Sequence, residues 1–154
     1  MCGGRKIRAH MHADRRKSVS PFEIVDHTAD IGVRVSAPDL AGLFADSAAG
    51  MFHVICEGRA TGWDAQRRIE LSAPDLEDLL VDWLSELLYL FEVRKFVFRE
   101  AEFETLGETG LAATVRGVNF RGQLAGAEIK AVTYHMIDIR RETGGYEVTV
   151  YFDI

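Results

Sequence analysis

Two carboxylates and an imidazole fall within one short stretch, Asp26-His27-Thr28-Ala29-Asp30-Ile31-Gly32, set between two runs of alternating apolar residues. A second acidic position closes the chain in Tyr151-Phe152-Asp153-Ile154. Side chains of a strand alternate between faces, so Ile31, Val33 and Val35 share one face and leave Asp30 on the polar one. By the same parity Tyr146, Val148, Val150 and Phe152 share a face, and Glu147, Thr149, Tyr151 and Asp153 take the other. If these two strands are neighbours, Asp30, Asp153 and the α-carboxylate of Ile154 converge. Their repulsion is relieved by a hard cation, and an all-carboxylate set points to Ca²⁺, Mg²⁺ or Mn²⁺ rather than zinc. Asp26 and His27 are positioned to line such a site. Spacing alone leaves open the simpler reading, in which the strand-end carboxylates are solvated and His27 is a hydrogen-bonded turn residue.

Lys130 opens Lys130-Ala131-Val132-Thr133-Tyr134-His135, which reads as a strand with the lysine on the side of Val132, Tyr134 and Met136. An ammonium is costly there unless it lies at the rim or snorkels, and the functional alternative is a cation held near the carboxylates to meet a phosphate or an acidic partner. His135 has no companion acid or nucleophile in sequence and is read as a sheet-surface residue. The chain contains no GxxxxGK[ST] loop, dinucleotide glycine fingerprint, HExxH or nucleophile elbow, so self-contained catalysis has little support. Gly117 to Gly122 is glycine-flanked but opens no helix, which argues against a phosphate loop.

The elements that must position these groups are legible from periodicity. After the first two strands, Leu40, Leu43, Phe44, Ser47, Ala48, Met51, Phe52 and Ile55 form a helical stripe, started by Pro38 and an Asp39 N-cap and ended before Gly58. Following a strand over Arg67 to Leu71, Ser72-Ala73-Pro74-Asp75-Leu76 repeats residues 36–40 letter for letter. A second stripe follows over Leu76, Leu79, Leu80, Trp83, Leu84, Leu87, Leu88 and Phe91. The repeat fits a duplication, or the plain fact that Pro and Asp start helices well after a strand. From Phe96 on the pattern is strand-like: Phe96 to Phe98, a hairpin of Ala101 to Leu106 with Leu111 to Phe120, a run over Glu128 to Arg140, and the last strand over Tyr146 to Asp153. The expected fold is α+β, a two-layer sandwich of a mixed or mainly antiparallel sheet with two amphipathic helices packed on one face.

A chain of 154 residues, 47% hydrophobic, fits one domain. No stretch approaches the roughly 18 apolar residues of a membrane span, and the N-terminus lacks a secretory h-region, so a cytoplasmic protein is expected. Cys2 and Cys56 are expected to be free thiols. The net charge of −6 is uneven: residues 1–20 carry six of the 18 basic residues, leaving 12 basic against 23 acidic in 21–154. That body is expected to repel phosphate backbones. Residues 1–20, with His10-Met11-His12, read as a flexible basic tail outside a domain at 21–154, and direct nucleic-acid contact is expected, if anywhere, from the tail.

Taken together, the 26–32 motif, the Leu-rich second helix with Trp83, the 130–135 segment and the terminal Phe152-Asp153-Ile154 resemble the archease family over residues 21–154. The resemblance implies a non-catalytic accessory protein of the RtcB-type RNA ligase, which joins 2′,3′-cyclic-phosphate (or 3′-phosphate) and 5′-hydroxyl RNA ends. It implies promotion of ligase guanylylation and repeated turnover in tRNA splicing or RNA repair, with GTP and RNA reached through the ligase. It also implies a divalent-cation site at Asp30, Asp153 and Ile154 and an essential lysine at Lys130. Asp26 stands where some members carry Glu, so it and His27 take only supporting roles. Two rivals are a chaperone-like scaffold and a stand-alone metal-dependent phosphoester hydrolase.

Overall fold

The repeated pentapeptide does the same job twice. Asp39 caps α1 (Leu40–Cys56) by accepting the Gly42 N–H at 2.7 Å, and Asp75 caps α2 (Leu76–Arg94) by accepting the Asp78 N–H at 2.8 Å. Both caps have extended backbone, and each satisfies one of the orphan donors of a first turn. The computed structural model describes residues 7–10, 21–26, 30–122 and 126–154, with 7–10 and Asp26 described by backbone alone.

The strands are β1 (Ile7–His10), β2 (Phe22–Asp26), β3 (Asp30–Ala37), β4 (Ala65–Ser72), β5 (Phe96–Leu106), β6 (Gly110–Asn119), β7 (Ala131–Val132), β8 (Arg140–Glu142) and β9 (Gly145–Asp153). All their described pairings are antiparallel. The α+β class is as expected, but the strands divide into two sheets, one ordered β1-β5-β6-β4 and one β2-β3-β9-β7 with β8 also on β9. Helix α1 contacts both of them.

That arrangement explains why α1 is buried almost all round. Its Phe44 and Phe52 meet Trp83, Phe91, Phe98 and Phe103, and the Trp83 indole N–H donates to the Phe44 carbonyl at 2.9 Å. On the other side Ala41, Ala45 and Ala49 are also buried, and Gly50 lies against Val33 and Phe22. A Cβ at Gly50 lies 2.5 Å from Val33 Cγ1. Gly50→Ala is therefore expected to destabilise by about 1–2 kcal/mol, overpacking outweighing the gain in helix propensity, as measured by urea unfolding.

Half-buried Asp46 is the titratable outlier of α1. Burial first, and then the charge of Asp39, push its carboxyl from 3.8 up to about 7. A raised folded-state value means that the contribution is complete below pH 4 and is lost as pH rises towards 7. Asp46→Asn is expected to match the parent near pH 4 and to exceed it at pH 8, by on the order of 1–3 kcal/mol after solvent screening is discounted. Unfolding curves at the two pH values check this. Cys56 is a buried free thiol pushed up to about 11 by burial.

Three sequence expectations change. Residues 7–10 of the expected flexible tail form β1, paired from Ile7–Phe103 to His10–Glu100, because the outer edge of β5 offers unpaired backbone groups. Phe96–Phe98 and the hairpin arm are one strand, β5, with register shifts beside Arg99 and Glu104. The run over 128–140 is not one strand: only β7 and β8 pair with β9. Thr133 Oγ1 donates to the Tyr151 carbonyl at 2.9 Å and accepts from the His135 N–H at 3.2 Å, which turns the chain out of the ladder. His135 thus sits in a turn, its ring 5.5 Å from that of Tyr151. Among the described residues no helix is long and apolar enough to cross a membrane.

Candidate functional site

Asp30 is the first residue of β3 and Asp153 the last of β9, and the register pairs them directly, in line with Gly32–Tyr151 and Arg34–Thr149. Directly opposed residues of an antiparallel pair project to the same face. That face is the outer one: Val33, Val35, Val148, Val150 and Phe152 point into the core, as parity predicted. Asp30 is half-buried with its Oδ1 shielded from solvent, while Asp153 is exposed. Gly32, also on this face, is covered by Tyr151, whose Cε1 lies 2.8 Å from where a Cβ would stand.

On the other side of Asp153 lies β7, with Ala131 opposite it and the Lys130 N–H donating to its carbonyl at 2.8 Å. Asp30, Asp153, Ile154 and Lys130, far apart in sequence, thus meet at one rim of the β2-β3-β9-β7 sheet. Lys130 is exposed, and its expected neighbours Tyr134 and Met136 are exposed too, because the strand that was to bury that side stops after Val132. Asp26 pairs with Ile31, which brings its backbone beside the site, while its side chain and all of His27 lie outside the described residues.

The segment carrying Lys130 is anchored at both ends. The Ala127 N–H donates to the Val54 carbonyl of α1 at 3.0 Å, and a Cβ at Gly126 would fall 1.8 Å from that same oxygen. Further on, Glu77 of α2 accepts the Ile139 N–H at 3.0 Å. Local desolvation first, and then the charges of Asp78 and Asp82 on α2, push the hydroxyl of exposed Tyr134 above its ordinary range. Neither Tyr151 nor these anchors was singled out from sequence; the glycine in the 26–32 motif, facing an aromatic at matching parity, was the available signal for Tyr151.

Two like charges directly opposed across a ladder cost about 0.2–1 kcal/mol, and a cation bridging them reverses the sign. Among the described residues no three His, Cys, Asp or Glu side chains cluster to hold a metal; the register brings two carboxylates together, and the third donor, the carboxylate of Ile154, is the one that the resemblance implies. The donor set is all oxygen and suits a hard cation of six to eight ligands, leaving positions for water or for another molecule's oxygens. The residues present therefore fit the cation that the resemblance implies.

Comparison with known proteins bears on the whole domain. The sequence profile of the Archease protein family matches residues 22–154. A protein archease of Methanosarcina barkeri is 40% identical over 139 residues, which cover 86% of this chain and 95% of that protein. The solution structure of protein 1598 of Methanobacterium thermoautotrophicum superimposes with a TM-score of 0.73 at 32% identity, over 87% of this chain and 99% of that one. A Thermotoga maritima archease, described as a possible chaperone, shares the fold with a TM-score of 0.62 at 20% identity, over 94% and 100% of the two chains. The cap-and-stripe helices, the paired ends of β3 and β9 and the match over residues 22–154 agree: this chain belongs to the archease family.

Proposed function

We infer that this protein is a non-catalytic, metal-binding activator of an RtcB-type RNA ligase, promoting guanylylation of the ligase and repeated turnover in tRNA splicing or RNA repair. The observation that carries the reading is the direct pairing of Asp30 with Asp153, with Lys130 hydrogen-bonded through its backbone to the same aspartate.

Asp30, Asp153 and the Ile154 carboxylate would hold the divalent cation, Ca²⁺, Mg²⁺ or Mn²⁺. When bound, it supplies concentrated positive charge with positions open to oxygen ligands of a partner or nucleotide. Lys130, exposed and tied by its backbone N–H to the Asp153 carbonyl at the same rim, offers an ammonium that can meet a phosphate or an acidic side chain of the ligase. The net charge of −6 favours approach to a pocket that must be basic to hold GTP and RNA, chiefly by raising the association rate.

The test is ligase guanylylation with GTP, with and without this protein. Acceleration that depends on Asp30, Asp153 and Lys130 is expected. Equal labelling in every tube overturns the reading and leaves a scaffold indifferent to its carboxylates, in line with the Thermotoga protein's description as a possible chaperone. Turnover of nucleotides or phosphoesters by the isolated protein with Mg²⁺ or Mn²⁺ would instead make it a hydrolase.

A further inference from the structure

Away from the carboxylates, the end of α2 and the edges of β4 and β6 enclose a groove of about 560 Å³ lined by Arg67, Arg94, Lys95, Arg121, Asn119 and Phe120. Four cations from three elements meet there in a chain of net charge −6. The groove is braced: the Phe120 N–H donates to the Lys95 carbonyl at 2.9 Å, tying the loop after β6 to the cap of α2. Lys95 Nζ stands 5.5 Å over the Phe91 ring, and the Arg67 guanidinium 5.7 Å over Phe96. An adjoining hollow of about 280 Å³ shares Lys95, Phe120 and Arg121 and adds the Phe91 ring.

Cations without a carboxylate partner are concentrated in this groove, although Arg99 and Lys130 elsewhere also lack one among the described residues. Arg34, Arg68, Arg116, Arg140 and Arg141 each meet a carboxylate. Among the described residues no carboxylate pairs with Arg67, Arg94, Lys95 or Arg121. Complementing the C-terminal dipole of α2 accounts for Arg94 and Lys95 but not for Arg67 on β4 or Arg121 in the loop. Four full charges also outweigh the roughly half-unit negative end of a helix. The expectation that an acidic body repels phosphates averages over the surface; here the charge is segregated.

We propose that this groove binds the phosphodiester backbone of a single-stranded nucleic acid, with Phe120 offering a stacking surface for a base. Guanidinium groups take phosphate oxygens in pairs, and a half-buried ring beside a cationic track is what a flexible strand uses and a duplex cannot reach. An acidic peptide would use the charges but not the ring. The proposal is independent of the ligase.

The experiment is fluorescence anisotropy of a labelled oligouridylate with the full chain across a salt series, repeated with Arg94→Glu/Arg121→Glu and with Arg121→Glu alone. Arg94 and Arg121 are exposed and Phe120 is half-buried, and unchanged circular dichroism melting of each variant verifies folding. Expected are at least tenfold weaker binding by the double variant, a salt slope shallower by about two, and weakening by Phe120→Leu for the oligonucleotide but not for polyphosphate. Equal binding by parent and both charge variants overturns the proposal, since the strand is then held elsewhere, for instance by residues 1–20. Displacement of the oligonucleotide by polyglutamate at equal charge concentration, with Phe120→Leu silent, overturns it in favour of an acidic peptide.

Discussion

Asp153→Ala is expected to reduce the stimulation of ligase guanylylation at least roughly tenfold, the equivalent of about 1.4 kcal/mol, towards the rate of the ligase alone. Asp153 is the hub of the rim, paired with Asp30 on β3 and with Ala131 on β7, while its carbonyl takes the Lys130 N–H. Truncating its side chain leaves the backbone ladder intact, so the variant should fold while losing one of three carboxylates. Lys130→Ala should lose stimulation to a similar degree for a different reason, since it removes the ammonium and leaves every carboxylate in place. Single-turnover guanylylation with the parent and the two variants reads both effects. Full stimulation by either variant contradicts the assigned role of that residue.

The second large effect is on stability. A divalent cation held by the folded rim and not by the unfolded chain stabilises by linkage, so the parent's melting temperature should rise with divalent cation. At a hundredfold excess over the dissociation constant the linkage is about 2.7 kcal/mol, or roughly 5–10 °C for a domain of this size. Asp30→Asn removes one negative charge while keeping the shape. It should show little rise in melting temperature when cation is added. Lys130→Ala should retain the full rise, which separates holding the cation from using it. A chain extended past Ile154 should respond weakly, because its third carboxylate is gone. Differential scanning fluorimetry over a cation series distinguishes these outcomes.

How much of this was legible in sequence follows from the range of each interaction. Helix caps are local, so Asp39 and Asp75 could be read from the repeated pentapeptide, and both accept the N–H three residues on. Strand parity is local too, and it placed Asp30 and Asp153 on the outer faces of their strands. Which strands are neighbours is not local. Alternation supplied the faces, the family resemblance supplied the meeting, and the register then set the two aspartates opposite one another.

The misreadings have equally physical origins. The second buried side of α1 consists of Ala41, Ala45, Ala49 and Gly50, small residues that carry little hydrophobic signal yet let the helix approach β3 closely. Thr133 ends the β7 ladder through its hydroxyl, an event that apolar periodicity cannot register. Strand β1 depends on the open edge of β5, some ninety residues away. The cationic groove collects its residues from β4, α2 and the loop after β6, so no window of sequence contains it.

The most direct test of the carboxylate rim is an anomalous difference map from crystals grown with Mn²⁺, at a concentration that shifts the melting temperature. The account predicts one peak at the ends of β3 and β9, about 2.0–2.6 Å from oxygens of Asp30, Asp153 and the Ile154 carboxylate, and absent from Asp30→Asn crystals. A map with no peak between Asp30 and Asp153, or a peak unchanged in Asp30→Asn, contradicts it.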